Sequence, residues 1–197
     1  VKRRIAFFDF DGTITTKDTL LVFIRCSKGR FRLLMGLLFT APWLLAWKLR
    51  LISNSSAKQR LMRHFFRGQT LEAFQQQCDK FAEEKIPGLL RPKAVAEIAR
   101  LREIGATIVV VSASPDNWIR RFTGHIGAAS VATRLEVLDD KLTGRFDGAN
   151  CHGEEKVRRI KGEWSLEDYD EIYAYGDSPG DRPMLRLATV SFYRPFR

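Results

Sequence analysis

Phe7-Phe8-Asp9-Phe10-Asp11-Gly12-Thr13-Ile14-Thr15 is the stretch on which the reading of this chain turns. It opens inside an apolar run, Ile5 to Phe8, with the length and aromatic content of a buried strand. Two aspartates follow, one residue apart, and then a glycine. In a parallel sheet, ligands gather beyond the carboxyl ends of the strands, and these carboxylates fall there. Asp9 and Asp11 repel each other unless a cation or a shared proton relieves them. Gly12 permits a sharp turn and the close approach of a phosphate or metal to the backbone. Alone, Asp-x-Asp-Gly reads equally well as a strand end closed by an Asx-turn. The later chain decides between them.

Three further loops repeat the arrangement. Ala106-Thr107-Ile108-Val109-Val110-Val111 reads as a β-branched buried strand ending in Ser112-Ala113-Ser114-Pro115. The hydroxyls and turn amides there, Ala113 included, suit phosphate oxygens. Gly153-Glu154-Glu155-Lys156 opens a helix, and a cation near backbone amides is placed to hold a phosphate, although most such lysines are simply solvated. Glu171 to Tyr175 reads as a strand ending in a second acidic loop, Gly176-Asp177-Ser178-Pro179-Gly180-Asp181. Acidic groups at two strand ends jointly supply the hard oxygen ligands that Mg²⁺ prefers. Each loop is a modest signal by itself, and their order carries the weight.

The remaining segments predict strands alternating with helices, hence a parallel α/β sheet. Asp18 or Thr19 caps a helix through Leu20-Leu21-Val22-Phe23-Ile24, with capping preferred over substrate contact for Asp18. Pro42 predicts two short helices within Phe31 to Ile52, and Ser53-Asn54-Ser55-Ser56 reads as a polar loop. Lys58 to Phe66 and Leu71 to Glu84 read as helices, the second on the spacing of Leu71, Phe74, Cys78 and Phe81. Helices are also predicted at Ala94 to Glu103, Ile119 to Ile126, Glu154 to Lys161 and Arg182 to Leu187. Val131 to Leu138 and Leu142 to Phe146 read as strands joined by Asp139-Asp140-Lys141, and Val190 to Tyr193 as the last strand. The domain reading is a core of residues 1–16 and 91–197 with an all-helical cap, residues 17–90, inserted after the first strand.

The chain has 197 residues, enough for one sizeable core with a small second lobe. Its net charge of +10 is unevenly placed. Between Asp18 and Glu72 there is no acidic residue but ten basic ones, so this interval alone equals the whole excess. Its partner is expected to be an anionic surface or substrate. Leu33 to Trp47 is free of charge yet too short to span a bilayer, which needs about 20 residues. Trp43 and Trp47 with basic flanks have the composition of an interfacial segment, a reading preferred over internal packing of a helical lobe. Cys26, Cys78 and Cys151 form no CxxC pair, so reduced thiols are expected. His64, His125 and His152 lack metal-ligand spacing, and Asn150, Cys151 and His152 receive no role. With no signal-like leader before the first strand, a cytoplasmic location is expected, peripheral on the inner membrane face if the interfacial reading holds.

DFDGTIT, VVVSAS, GEEK and GDSPGD, in that order, resemble the four motifs of the haloacid dehalogenase (HAD) superfamily of phosphohydrolases. The insertion after the first motif resembles the phosphoserine-phosphatase-like subfamily IB, in position and helical character only. The resemblance implies a Rossmann-like parallel core and a phosphatase. It implies Asp9 as nucleophile, Asp11 as general acid and base, and Ser112, Ala113 and Lys156 on the phosphoryl group. It also implies Mg²⁺ held by Asp9, the backbone carbonyl of Asp11 and Asp177, with Asp181 behind them.

The inserted segment decides the expected substrate. An apolar, tryptophan-bearing and wholly basic cap is a poor fit for a small zwitterion, and it resembles that of bacterial phosphatidylglycerophosphatases. The expected substrate is therefore a lipid-borne phosphomonoester such as phosphatidylglycerophosphate. The alternative is a soluble phosphatase acting on phosphoserine or another metabolite. A third reading, a nucleic-acid or protein docking module with a vestigial core, is disfavoured because all four motifs are intact and the aromatics lie in apolar runs. Composition leaves the oligomeric state open.

Overall fold

The computed structural model describes residues 2–197. Strand β1 (Arg4–Phe8) lies at the middle of a five-stranded parallel sheet, between β2 (Ala106–Pro115) and β6 (Glu171–Gly176). Strands β3 (Ala129–Thr133) and β7 (Val190–Tyr193) form the edges, in the order β3-β2-β1-β6-β7. Ile5 and Phe7 pack on one face against α7 (Glu154–Glu163) and α8 (Arg182–Leu185) through Ile160 and Met184. Ala6 and Phe8 pack on the other, against α5 (Pro92–Glu103) and α6 (Asp116–His125) through Ile98 and Phe122. A strand buried on both faces needs the unbroken apolar run seen in the sequence. From β1 the chain builds outward through β2 and β3, then returns to β1 and continues through β6 and β7. That reversal opens a crevice at the carboxyl ends of β1 and β6.

Between β1 and β2 lie α1 (Thr19–Lys28), α2 (Arg30–Lys48), α3 (Asn54–Phe66) and α4 (Leu71–Glu84). Phe23 of α1 centres an aromatic knot with Phe66, Phe74, Phe81 and Trp118 at ring separations of 4.8–5.5 Å. Asp18 caps α1, its carboxylate accepting from the N–H groups of Leu20 and Leu21.

Three sequence expectations are corrected. Pro42 does not divide its segment: α2 runs on through it. Pro42 lies on the solvent side, where a carbonyl left without its N–H partner is hydrated, and the Thr40 hydroxyl returns a bond to the Gly36 carbonyl on the inner side. Ser53 to Ser56 is not a loop: the Ser53 hydroxyl accepts from the Ser56 N–H and starts α3 at Asn54. Val131 to Leu138 is not one strand. β3 pairs with β2, and after Arg134 the chain pairs elsewhere, as β4 (Leu135–Leu138) with β5 (Lys141–Phe146). Residues Asp139 and Asp140 turn this hairpin with φ of 47° and 58°. The hairpin joins the helical insertion, with Gly68 N–H donating to the Leu142 carbonyl at 2.8 Å and Leu142 N–H to that of Gln69 at 2.9 Å.

Candidate active site

The Asp9 N–H donates to the Tyr175 carbonyl at 2.9 Å, the last bond between β1 and β6 before the strands part. Beyond it the chain makes a wide helical turn, Phe10–Ile14, in which Gly12 takes φ of +85°. A Cβ at Gly12 would lie 2.5 Å from an Asp177 carboxylate oxygen, so glycine is what lets the first motif loop close on the fourth. Arg91 fastens the turn, its Nε donating to the carbonyls of Gly12 at 3.2 Å and Thr15 at 3.3 Å.

At the centre is the ammonium of Lys156, 1% exposed, in the first turn of α7. It donates to Asp9 Oδ1 at 2.7 Å, Asp181 Oδ1 at 2.7 Å and the Val111 carbonyl at 2.8 Å. All three donors of the ammonium are thus used, and three of the four motif loops are tied to one atom. Burial pushes the Asp9 carboxyl up to about 7, against the pull of Lys156, with Asp181 adding to the rise. Burial works against the Lys156 charge, but Asp9 and Asp181 outweigh it and raise its pKa above the usual lysine range. Asp181 is buried too, yet Lys156 and Ser178 hold its carboxyl below the ordinary value. Both its oxygens are occupied: Oδ2 accepts from the N–H groups of Asp177 and Ser178 and from the Ser178 hydroxyl.

Asp9, Asp177 and Asp181 each bring a carboxylate oxygen within 4.8 Å of the others. Three buried carboxylates against two cations, the Lys156 ammonium and the Arg197 guanidinium, leave an excess of negative charge, and hard oxygens so grouped suit a divalent cation. The donor set therefore fits a metal. The Arg197 guanidinium pairs with the Asp177 carboxylate, and Arg194 Nε donates to the Asp177 carbonyl at 3.1 Å.

Asp11 turns away from this cluster. Its Oδ1 accepts from Thr19 N–H at 2.7 Å and Thr19 Oγ1 at 2.6 Å, and its Oδ2 from Ser114 Oγ at 2.5 Å. Trp118 Nε1 donates to the Thr19 hydroxyl at 3.2 Å, which fixes that hydroxyl from behind. Ser112 is fully buried, and its Oγ accepts from Ser114 N–H at 3.0 Å, leaving the hydroxyl proton to donate elsewhere. The Ala113 carbonyl accepts from Thr133 Oγ1 at 3.1 Å and from Lys58 Nζ, on α3, at 3.3 Å.

Every residue singled out from the sequence thus stands at the carboxyl ends of β1, β2 and β6 or on the first turn of α7. Sequence reasoning missed the supports: Thr13, whose hydroxyl donates to Asp9 Oδ2 at 2.9 Å, and Thr19 and Ser114 on Asp11. Thr13 and Ser114 lie inside the quoted motifs, but nothing in a linear pattern says which carboxylate a hydroxyl will reach. Asn150 and His152, left without roles, are also at the rim. Asn150 accepts from the Thr133 hydroxyl at 3.0 Å and donates to Asn54 Oδ1 at 3.0 Å. His152 lies against Gly180, where any Cβ would strike its ring, and partial desolvation together with Lys156 and Lys58 lowers its pKa.

Comparison with known proteins places the chain in a family. Residues 6–186 match the family described as haloacid dehalogenase-like hydrolase. Protein CicA of Caulobacter vibrioides (strain NA1000 / CB15N) is 38% identical over 192 residues, covering 96% of this chain and 85% of that one. A protein of Mycobacterium tuberculosis (strain ATCC 25618 / H37Rv) named as a probable phosphatase is 33% identical over 194 residues, 93% of this chain and 66% of its own length. The solved phospho-aspartyl intermediate analogue of phosphoserine phosphatase superposes with a TM-score of 0.65 at 23% identity, covering 97% of this chain and 86% of that one. This chain belongs to the haloacid dehalogenase-like hydrolase family.

Proposed function

We propose that this phosphatase is a Mg²⁺-dependent phosphomonoesterase that works through an aspartyl-phosphate on Asp9. The observation that carries the reading is the Lys156 ammonium, buried and shared between Asp9 and Asp181 at the crevice. Asp9 is the nucleophile: its carboxylate oxygen bonds to phosphorus as the bond to the leaving oxygen breaks. Asp11, once it swings from Thr19 and Ser114 toward the crevice, gives that oxygen a proton and then takes one from the water that hydrolyses the acyl phosphate. Lys156, the Ser112 hydroxyl and the Ala113 N–H take the phosphoryl oxygens. Asp9, the Asp11 carbonyl and Asp177 hold Mg²⁺, and Asp181 orients Lys156 and the Asp177 loop. When bound, the metal supplies positive charge that offsets repulsion between the Asp9 carboxylate and the phosphate.

The substrate in this reading is a lipid-borne phosphomonoester met at a membrane surface. Among the described residues no helix is long and apolar enough to cross a membrane. Helix α2 nevertheless exposes Phe31, Leu34, Met35, Leu38, Phe39 and Leu45, a contiguous apolar face of the kind that marks an interaction site. Arg30 and Arg32 stand at one end of α2, and Lys48 and Arg50 at the other, as anionic head groups require. We divide the chain into a core of residues 1–16 and 91–197 and a cap of residues 17–90, against which the β4–β5 hairpin of the core packs.

The test is hydrolysis of phosphatidylglycerophosphate in mixed micelles beside phosphoserine and p-nitrophenyl phosphate. Asp9→Asn is expected to lower every rate by about a thousandfold or more while leaving the fold intact by circular dichroism. EDTA is expected to abolish the wild-type rate and Mg²⁺ to restore it. An Asp9→Asn enzyme with most of its activity sinks the assignment. Faster hydrolysis of phosphoserine than of the lipid favours the soluble alternative.

A further inference from the structure

We propose that the groove between α1, α2 and α3 is a subsite for the hydrocarbon chain of the substrate, the phosphate of the same molecule lying at Asp9. This rests on the phosphatase reading above and turns its lipid half into a defined place on the protein. The groove has a volume of about 480 Å³. Its walls are Leu20 and Leu21 of α1, Leu37, Ala41 and Leu44 of α2, and Leu61 of α3.

Its polarity is graded along its length. Consecutive helices joined by short turns run antiparallel, so the end of α2 and the start of α3 share one end of the groove, while α1, 10 residues against the 19 of α2, brings its start opposite the middle of α2. The polar lining residues Lys48, Asn54 and Lys58 belong to that end, and Asp18 stands about midway along the groove. It is also the end tied to the catalytic loops. Lys58 Nζ donates to the Ala113 carbonyl at 3.3 Å, and Asn54 accepts from Asn150 at 3.0 Å. From there α2 recedes about 16 Å between Lys48 and Leu37, its own groove-facing residues and those of α3 becoming apolar.

A small phosphorylated metabolite has no use for such a channel, because its leaving group would end at the polar mouth. An amphiphile whose phosphate joins directly to a chain matches both the gradient and the continuity with the catalytic crevice. The exposed outer face of α2 meets the groove at Leu45, which lines the groove and is exposed on that face. It would rest on the bilayer while the groove on the inner side takes one chain out of it.

The test uses n-alkyl monophosphates from butyl to decyl, each below its micelle concentration, with Mg²⁺ and no membrane. For the wild type, kcat/KM is expected to climb about fourfold per added methylene, the increment of one buried CH₂, until the groove is full. Ala41→Trp, which fills the groove midway, is expected to flatten the climb to less than about twofold per methylene. The smaller Ala41→Leu is expected to flatten it partially, and guards against a tryptophan variant that does not fold. A flat dependence in the wild type, or a steep one that neither substitution alters, overturns the subsite. If chain length has no effect while phosphatidylglycerophosphate is still hydrolysed, the subsite fails and the lipid reading survives. If butyl phosphate and every longer chain resist hydrolysis, the phosphatase reading fails and takes the subsite with it.

Discussion

Helices α1 and α2 follow one another with only Gly29 between them, and both are rich in large apolar residues. Their use of those residues is opposite. α1 buries Leu20, Phe23 and Ile24, with Phe23 1% exposed at the centre of the aromatic knot. α2 is 19 residues long, yet the residues it buries fully are Gly36 and Thr40, while Phe39 is 67% exposed. In α1 the large residues are the core. In α2 the small residues Gly36 and Thr40 face inward so that two backbones approach, half-buried Leu33, Leu37 and Leu44 flank them, and Phe31, Leu34, Leu38 and Phe39 face out. Hydrophobicity alone therefore does not place a side chain in this protein; the size of its neighbours on the same helix does. A helix built this way has two contact surfaces, one for the protein and one for an apolar medium.

The largest effect that sharpens this contrast is Phe23→Ala. Losing a fully buried ring that packs on Phe66, Phe74, Phe81 and Trp118 is expected to cost about 3–5 kcal/mol in urea unfolding. A cost below about 1 kcal/mol would show that the knot is not part of the folded core. Next is Gly36→Ala. A methyl group there would strike the ring of Phe65 and the imidazole of His64, so α2 must lift from α3 or both rings must move. The expected loss is about 1–3 kcal/mol, although alanine favours the helix over glycine by about 1 kcal/mol. A stabilised variant would mean that the close approach of the two helices is absent in solution.

The two regions also differ in how much of them a linear reading recovers. The parallel sheet was legible because β1 and β2 are buried on both faces, which demands unbroken runs such as Ile5 to Phe8. The positions of Asp9, Ser112, Lys156 and Asp177 were legible because turn chemistry and strand ends lie adjacent in sequence. Pro42 misled because its cost depends on whether the carbonyl it frees faces water, a fact of tertiary placement. The end of β3 was hidden for a similar reason. The alternation of residues persists from Val131 to Leu138 while the hydrogen-bonding partner changes from β2 to β5. Thr19 and Ser114 were hidden most completely: each meets Asp11 across a separation that no local pattern encodes.

The smallest expected effect on folding tests the outer face of α2 most directly. Leu34 and Leu38 are 66% and 68% exposed and lie one turn apart on the same side. Glutamate and leucine have nearly the same helix propensity, and neither position gives up burial. The double substitution Leu34→Glu/Leu38→Glu is therefore expected to shift unfolding free energy by no more than about 0.5 kcal/mol per site. Sedimentation with phosphatidylglycerol vesicles is expected to respond in the opposite way. The wild type should bind in a salt-sensitive manner, and the variant should lose most of that binding, because two carboxylates replace two side chains that would enter the acyl region. Hydrolysis of p-nitrophenyl phosphate should not change, since neither residue approaches the crevice. A variant that unfolds more easily by 2 kcal/mol or so would place these leucines under some other part of the folded assembly. A variant that binds vesicles as well as the wild type would leave the outward leucines of α2 without a membrane to explain them, and the contrast with α1 would then need a protein partner.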